Sequence, residues 1–147
     1  MEAQATPWMA LCLAPVFWIL ASVALSVIGG WSRLASVYRA TIWPEHGYVW
    51  KGQSGAMRFG THYGGCLNIA ADQNGLYLKP FLLFRIGHPP LFIPWNHVAA
   101  TEKTTWFMKR LALSFRDAED VPVVLSGTLG REILTSVGEH ARIRESA

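Results

Sequence analysis

The sequence lacks charge over a long stretch near its N-terminus. Residues 3 to 32 contain no Asp, Glu, Lys, Arg or His. An α-helix rises about 1.5 Å per residue, so roughly 20 apolar residues cross a hydrocarbon layer about 30 Å thick. The run from Trp8 to Ile28 meets that length, and the sequence therefore predicts one transmembrane helix within residues 1–30. Trp8 and Trp31 flank the run, so we expect their indoles at the two headgroup levels.

Positive charge is also missing before the apolar run. The N-terminus carries Glu2 and neither Lys nor Arg, whereas a cleaved secretory signal has a positive n-region and a shorter apolar core. A buried helix of a soluble protein does not need so long a run without charge. Arg33 and Arg39 follow the run closely, so the positive-inside rule places the N-terminus outside and the later residues in the cytoplasm. We therefore expect an uncleaved anchor.

Cysteine is scarce as well. Cys12 lies in the predicted helix and Cys66 stands alone in the remainder, so no disulfide is expected within the soluble part. With the helix subtracted, a chain of 147 residues leaves room for one compact domain.

Residues 31–54 predict a short helix followed by a connection. Trp31, Leu34, Ala35 and Tyr38 recur at helical spacing, which indicates an amphipathic helix. It can lie along the membrane surface with Arg33 and Arg39 towards lipid phosphates, or it can pack on the domain as a lid. Residues 40 to 54 contain Pro and Gly and predict a connecting loop.

From residue 55 onwards, hydrophobicity alternates with a period of two, as in strands with one face in a core. The clearest pair flanks Asp72-Gln73-Asn74-Gly75, because Asn-Gly favours the positive φ angles of a type I′ hairpin turn. We expect the apolar segment 81–85 to be a buried or lid-covered strand. The candidate strands are 56–62, 66–71, 76–79, 81–85, 91–98, 100–105, 107–116 and 121–125.

The last predicted element is an amphipathic helix. Thr128 can cap a helix that runs to about residue 141. The residues on its apolar face are Leu129, Ile133, Val137 and Ala141. The fold class is therefore one N-terminal transmembrane α-helix plus a mainly β domain over residues 55–147. That domain is expected to be a small barrel or sandwich of six or seven antiparallel strands, plugged at one end by the terminal helix.

The same order of elements is found in pleckstrin-homology-like domains. The segments Gly75-Leu76-Tyr77-Leu78 and Leu83-Phe84-Arg85-Ile86-Gly87-His88-Pro89-Pro90-Leu91-Phe92-Ile93-Pro94-Trp95 also resemble a group of uncharacterised bacterial single-pass membrane proteins whose soluble part is pleckstrin-homology-like. The similarity covers residues 31 to 137. The resemblance implies a pleckstrin-homology-like fold and a location in the bacterial cytoplasmic (inner) membrane. It implies no enzymatic or binding activity.

Motifs of the common enzyme classes are missing. There is no Gly-rich loop ending in Lys-Ser or Lys-Thr, no Gly-x-Ser-x-Gly elbow and no His-Glu-x-x-His. The histidines, which are His46, His62, His88, His97 and His140, show no ligand spacing. We therefore expect a protein that is not an enzyme, with no catalytic residue, no metal, no cofactor and no small-molecule substrate.

Arg85 and His88 stand next to a stiff corner formed by Pro89 and Pro90. One interpretation makes the two side chains a site for an anion or a lipid headgroup. The other has them hydrogen-bond to loop carbonyls and so fix the corner before Leu91.

Residues Trp106 to Arg110 place large apolar side chains beside two cations, Lys109 and Arg110. If Phe107 points into the core, then Trp106 and Met108 project outward with Arg110 as a patch for lipid or protein. From residue 31 onwards, Lys and Arg exceed Asp and Glu by four, which favours anionic lipid. These cations are too scattered to indicate nucleic acid. The turn from 60 to 65 has neither Lys nor Arg, which disfavours specific phosphoinositide binding.

Two functions fit these patterns. The first is a non-enzymatic accessory or assembly subunit of a larger membrane protein complex, for instance a respiratory or photosynthetic one. Its helix contacts other membrane subunits through Ala10, Ala14, Ala21 and Ser22, whose small side chains permit close approach. The second is a membrane-tethered sensor or a module that binds anionic lipid surfaces. The lipid bilayer is a partner in both.

Overall fold

The computed structural model describes residues 7–137 and 142–143, and this part of the chain starts with one long apolar helix. Helix α1 (Pro7–Gly29) has 23 residues and continues through Pro15. Among the described residues, it is the one helix long and apolar enough to cross a membrane. Its side chains are mostly exposed, except near its C-terminal end, where Ser22, Ser26 and Gly29 are buried.

One residue, Gly30, separates α1 from helix α2 (Trp31–Tyr38). The φ angle of Gly30 is +90°, and a Cβ atom here would lie 2.7 Å from both methyl groups of Val121. Glycine adopts this angle without a steric penalty. Helix α2 packs into the domain and buries Trp31, Leu34 and Tyr38. Of the two arrangements expected for this helix, the structure shows the one on the domain.

Seven antiparallel strands form one curled sheet, shaped like half of a barrel, with the order β4-β3-β2-β1-β7-β6-β5. They are β1 (Tyr48–Ala56), β2 (His62–Ala71), β3 (Gly75–Pro80), β4 (Leu91–Pro94), β5 (Val98–Thr105), β6 (Met108–Phe115) and β7 (Val123–Ser126). The two-residue strand β8 (Arg142–Ile143) lies parallel to β5. Helix α3 (Gly127–Val137) contacts β2, β6 and β7 and buries Leu129 and Ile133, as predicted.

Helix α3 starts close to its predicted cap. It begins at Gly127, and the Ser126 hydroxyl accepts a hydrogen bond from the Leu129 N–H at 3.4 Å. The predicted continuation to residue 141 and the side chain of Val137 lie outside the described residues.

The prediction of a connecting loop over residues 40–54 is wrong for its second half, which belongs to strand β1. The strand starts at Tyr48, before the predicted start of the domain at residue 55, and α2 already belongs to its core. The pairing of β1 with β2 shifts register between Trp50 and Gln53 and again before Gly55. Such bulges disrupt the period of two, which explains why the sequence pattern hides this strand.

Two other predicted strands are turns. In segment 56–62, the strand ends at Ala56, and Phe59 and Gly60 have φ angles of +55° and +72°. In segment 81–85, residues Leu82–Phe84 form a 3-10 turn instead of a buried strand, with Leu82 and Leu83 exposed and Phe84 half-buried. The period of two at 56–62 and the apolar composition of 81–85 resemble those of strands, yet both segments connect strands at the end of the sheet next to α1.

The hairpin between β2 and β3 is confirmed, but its turn is not of type I′. Asn74 and Gly75 are not among the residues with positive φ. The Asp72 carboxylate instead accepts hydrogen bonds from the Asn74 and Gly75 N–H groups at 2.8 and 3.0 Å. This side-chain turn satisfies the backbone donors, so the chain does not need the left-handed conformation.

Candidate membrane and partner interfaces

The connection between β3 and β4 lies along helix α1, and we call residues 81–90 the junction loop. The Trp18 indole donates a hydrogen bond to the Leu83 carbonyl at 3.2 Å. The Ser22 hydroxyl donates to the Ile86 carbonyl at 2.7 Å, and the Ser26 hydroxyl donates to the Gly87 carbonyl. Trp18, Ser22 and Ser26 are spaced by four residues and so form one stripe of the helix. The loop therefore follows α1 for about two turns.

Ser22 was expected to contact a partner helix, and the structure corrects this. Its side chain is buried against the junction loop and is not available to another protein. Serines four residues apart in an otherwise apolar helix are a signal that could have indicated an intramolecular polar contact.

A buried aromatic cluster joins α2, β2 and the junction loop. The rings of Trp31, Tyr63 and His88 lie 5.4–5.6 Å apart. The Trp31 indole donates a hydrogen bond to the Pro89 carbonyl at 2.9 Å. Trp31 is fully buried, so the core of the domain, and not lipid, surrounds its indole, and its level relative to the headgroups stays a prediction.

His88 belongs to this cluster and not to an exposed patch, since it is 2% exposed. Its Nδ1 lies 3.2 Å from the Ile86 carbonyl, which can only accept, and its Nε2 lies 3.0 Å from the Tyr63 hydroxyl. The neutral ring with a proton on Nδ1 satisfies both contacts. Burial lowers the pKa of His88 and raises the pKa of Tyr63. Of the two interpretations of His88, the structure shows the one that fixes the corner.

The lowered pKa of His88 predicts a loss of stability in acid. Below the ordinary histidine pKa of 6.5, the unfolded chain binds a proton that the folded chain does not. We expect the free energy of unfolding to fall between pH 7 and pH 5, by about 1.4 kcal/mol for each unit by which folding lowers the pKa. Denaturant unfolding of the full chain in detergent, followed by near-UV circular dichroism at several pH values, measures this.

The His88→Gln variant should be less stable at pH 7 and less sensitive to acid than the wild type. His62→Gln, at an exposed histidine, is the matched control and should keep the acid sensitivity. A His88→Gln variant with the wild-type pH dependence would assign the acid sensitivity to other groups.

Arg58 ties the end of α1 to the domain. Its guanidinium donates hydrogen bonds to the Val27 and Ile28 carbonyls at 3.3 and 3.4 Å and pairs with Asp120 at 3.1 Å. A cation at a helix C-terminus is stabilised by the helix dipole. Arg33 also lies near Asp120, at 3.8 Å, and donates to the Asp117 carbonyl. Sequence patterns missed Arg58, because only the fold brings it to α1.

The second surface is the tip of the β5–β6 hairpin. Trp106 and Phe107 form the turn, are 86% and 91% exposed, and have ring centroids 6.1 Å apart. Trp106 has a φ angle of +52°. Met108 is exposed as predicted, whereas the expectation that Phe107 points into the core is wrong, because this residue occupies the turn and not the strand. Lys103, Lys109 and Arg110 are exposed beside the tip.

The residues predicted to contact lipid or protein thus lie in two separate regions. Arg85 is exposed on the junction loop beside α1, and His88 is buried there. The other residues, Trp106, Met108, Lys109 and Arg110, lie at the hairpin tip. The opposite end of β6 leads to Asp120, which pairs with Arg58 beside the C-terminal end of α1. Strand β6 has eight residues, so the two ends are roughly 25 Å apart. Trp8 is 63% exposed at the start of α1, and Arg39 is exposed after α2.

The described residues hold no cluster of three or more His, Cys, Asp or Glu side chains that could bind a metal. An open cavity of about 500 Å³ lies beside the β2–β3 turn, lined by His46, Tyr48, Asp72 and Ser136 among others. The Asp72 carboxylate there is occupied by the turn and by the Tyr77 hydroxyl at 3.1 Å. Both oxygens of the one carboxylate in the named lining therefore already accept hydrogen bonds from the protein itself.

Comparison with protein-family models, with curated proteins and with solved structures finds no significant match to this chain.

Proposed function

We propose that this protein is a non-enzymatic accessory subunit of a larger membrane protein complex. Helix α1 anchors it in a bacterial cytoplasmic membrane with the N-terminus outside, and the β-domain docks on a partner protein in the cytoplasm. The length and apolar composition of α1 support the anchor, and Arg33 and Arg58 near its C-terminal end support the orientation. Seven antiparallel strands followed by a helix are the basis for proposing a pleckstrin-homology-like relationship.

The observation that carries this proposal is the exposed aromatic hairpin tip. Trp106 and Phe107 are the two most exposed large hydrophobic residues in the described part of the chain. Tryptophan and arginine are enriched among the residues that dominate binding energy at protein interfaces. Exposed Lys109 and Arg110 beside the rings favour a partner surface that combines an apolar pocket with acidic side chains.

The position of the tip favours a protein over the lipid surface. It lies at the end of β6 remote from α1. The other end of that strand leads to Asp120, which pairs with Arg58 at the C-terminal end of α1, where the proposed membrane begins. The contacts of Ser22, Ser26 and Arg58 hold the domain on the helix and so present the tip in a fixed direction.

Mild-detergent purification of the full chain from its native membrane, followed by native mass spectrometry, tests the proposal. We expect a stoichiometric membrane protein partner with the wild type and its loss with the double variant Trp106→Ser and Phe107→Ser. Phe59→Ser is the matched control, because Phe59 is also exposed, at 81%, but lies in the turn beside α1. We expect this control to retain the partner.

Two results would contradict the proposal. One is a lone wild-type monomer under conditions that preserve the complexes of the same membrane. The other is a partner retained by the double variant and lost by Phe59→Ser. If the wild type is monomeric and a fluorophore at Phe107→Cys enters anionic vesicles in low salt and leaves them in high salt, the protein is instead a lipid-surface module.

A further inference from the structure

We infer that the junction loop is a second membrane-embedded element, which enters the hydrocarbon layer beside α1 from the side of the β-domain. The segment concerned is 81–87, which contains the 3-10 turn Leu82–Phe84. This inference rests on the proposed anchoring by α1, and it adds that the protein contacts acyl chains through a loop as well as through a helix.

The depth of the loop follows from its contacts with α1. Trp18 lies eleven residues from Pro7 and eleven from Gly29, at the middle of the helix. Its indole donates to the Leu83 carbonyl, and its ring lies 5.1 Å from that of Phe84. Eleven helical residues span roughly 16 Å, about half of a hydrocarbon layer. When α1 spans the membrane, the turn Leu82–Phe84 therefore reaches the central region of the bilayer.

Six of the seven carbonyl groups of segment 81–87 accept hydrogen bonds from the protein, as this environment favours. Irregular backbone is tolerated in hydrocarbon only where its polar groups are satisfied by the protein itself. Phe81, Leu82 and Arg85 carbonyls accept hydrogen bonds from N–H groups within the loop, at 2.9–3.3 Å. The Leu83, Ile86 and Gly87 carbonyls accept from Trp18, Ser22 and Ser26. An aqueous loop would have water for these acceptors and would need no donors from an apolar helix.

The side chains of the loop match lipid and not water. Phe81, Leu82, Leu83 and Ile86 are 53%, 73%, 64% and 43% exposed. An exposed apolar patch of contiguous residues marks a membrane or protein contact. Because this patch continues the exposed apolar surface of α1, the same hydrocarbon layer covers both.

Arg85 is compatible with this depth. Arg85 is exposed and lies in the loop between Leu83, which contacts Trp18, and Ile86, which contacts Ser22 nearer the C-terminal end of α1. Long basic side chains reach from the hydrocarbon to the headgroup phosphates. Gly87 permits the close contact with α1, since it has a φ angle of +79° and a Cβ atom there would lie 3.2 Å from the Val23 Cα.

A depth measurement on the full chain tests the inference. The native thiols are removed by Cys12→Ser and Cys66→Ala, and single cysteines are introduced at Leu83→Cys, Phe17→Cys and Phe107→Cys for an environment-sensitive fluorophore. All three positions are exposed, so labelling leaves the core intact, and Leu82→Cys serves as a second loop position. The labelled proteins are reconstituted in vesicles of phosphatidylcholine and phosphatidylglycerol. Quenching by acyl-chain-brominated lipid and by aqueous iodide is then compared.

We expect the label at Leu83 to behave like the label at Phe17 on α1. Both should be quenched by brominated lipid and protected from iodide, whereas the label at Phe107 should be quenched by iodide. A Phe17 label in lipid together with Leu83 and Leu82 labels in water would overturn the inference and leave the anchor intact. A Phe17 label in water would overturn the anchoring by α1 and the inference with it.

Discussion

The Trp31→Ala variant should lose about 3–5 kcal/mol of the free energy of unfolding of the β-domain. Trp31 is fully buried, and its removal leaves a large cavity between α2, Tyr63 and His88. The variant also removes the donor to the Pro89 carbonyl, which fixes the junction loop. Denaturant unfolding of the full chain in detergent, followed by near-UV circular dichroism, measures the loss.

Trp106→Ala is the matched control for this prediction. It removes the same side chain from a position that is 86% exposed, so we expect a change within about 0.5 kcal/mol. An equally small change in Trp31→Ala would show that the cluster around Trp31 does not stabilise the domain.

The Gly30→Ala variant should lose about 2–5 kcal/mol, for two separable reasons. The φ angle of +90° costs an L-residue roughly 1–2 kcal/mol. The new Cβ also contacts both methyl groups of Val121, and overpacking of this kind costs about 1–3 kcal/mol. The same unfolding measurement gives the sum.

Gly60→Ala separates the two contributions. Gly60 has a φ angle of +72° and no heavy atom within 4 Å of its Cβ position, so only the conformational cost remains. In addition, Val121→Ala should cost less in the Gly30→Ala background than in the wild type, because it removes the overlapping methyl groups. Equal losses for Gly30→Ala and Gly60→Ala, or strict additivity with Val121→Ala, would rule out the contact with Val121 as the cause.

The sequence predicts those elements whose hydrophobic residues follow one regular pattern from end to end. The long apolar helix, the amphipathic helix from Trp31 to Tyr38, the hairpin around Asp72 and strand β6 follow directly from composition and period. Strand β1 was missed because its bulges break the alternation. The period of two predicts a strand at 56–62 and the apolar composition predicts one at 81–85, whereas the side chains of Phe59, Leu82 and Leu83 are exposed beside α1.

The candidate surfaces were only partly accessible to sequence reasoning. Trp106, Met108, Lys109 and Arg110 are neighbours in the sequence and remain neighbours in space. The contacts of Ser22 with Ile86 and of Arg58 with Val27 join residues far apart in the chain, and no local pattern indicates them. The burial of Trp31 depends on the direction that the chain takes after Gly30, which the positive φ angle of that residue allows.

With Gly30 as the sole residue between α1 and α2, the β-domain has no flexible linker about which to swivel. When α1 rotates about its long axis, the β5–β6 hairpin therefore rotates with it as part of one rigid body. In the proposed complex, the face of α1 that meets a neighbouring helix therefore sets the direction in which Trp106 and Phe107 point. The proposed partner would have to match the angle between α1 and the hairpin tip, in addition to the chemistry of both surfaces.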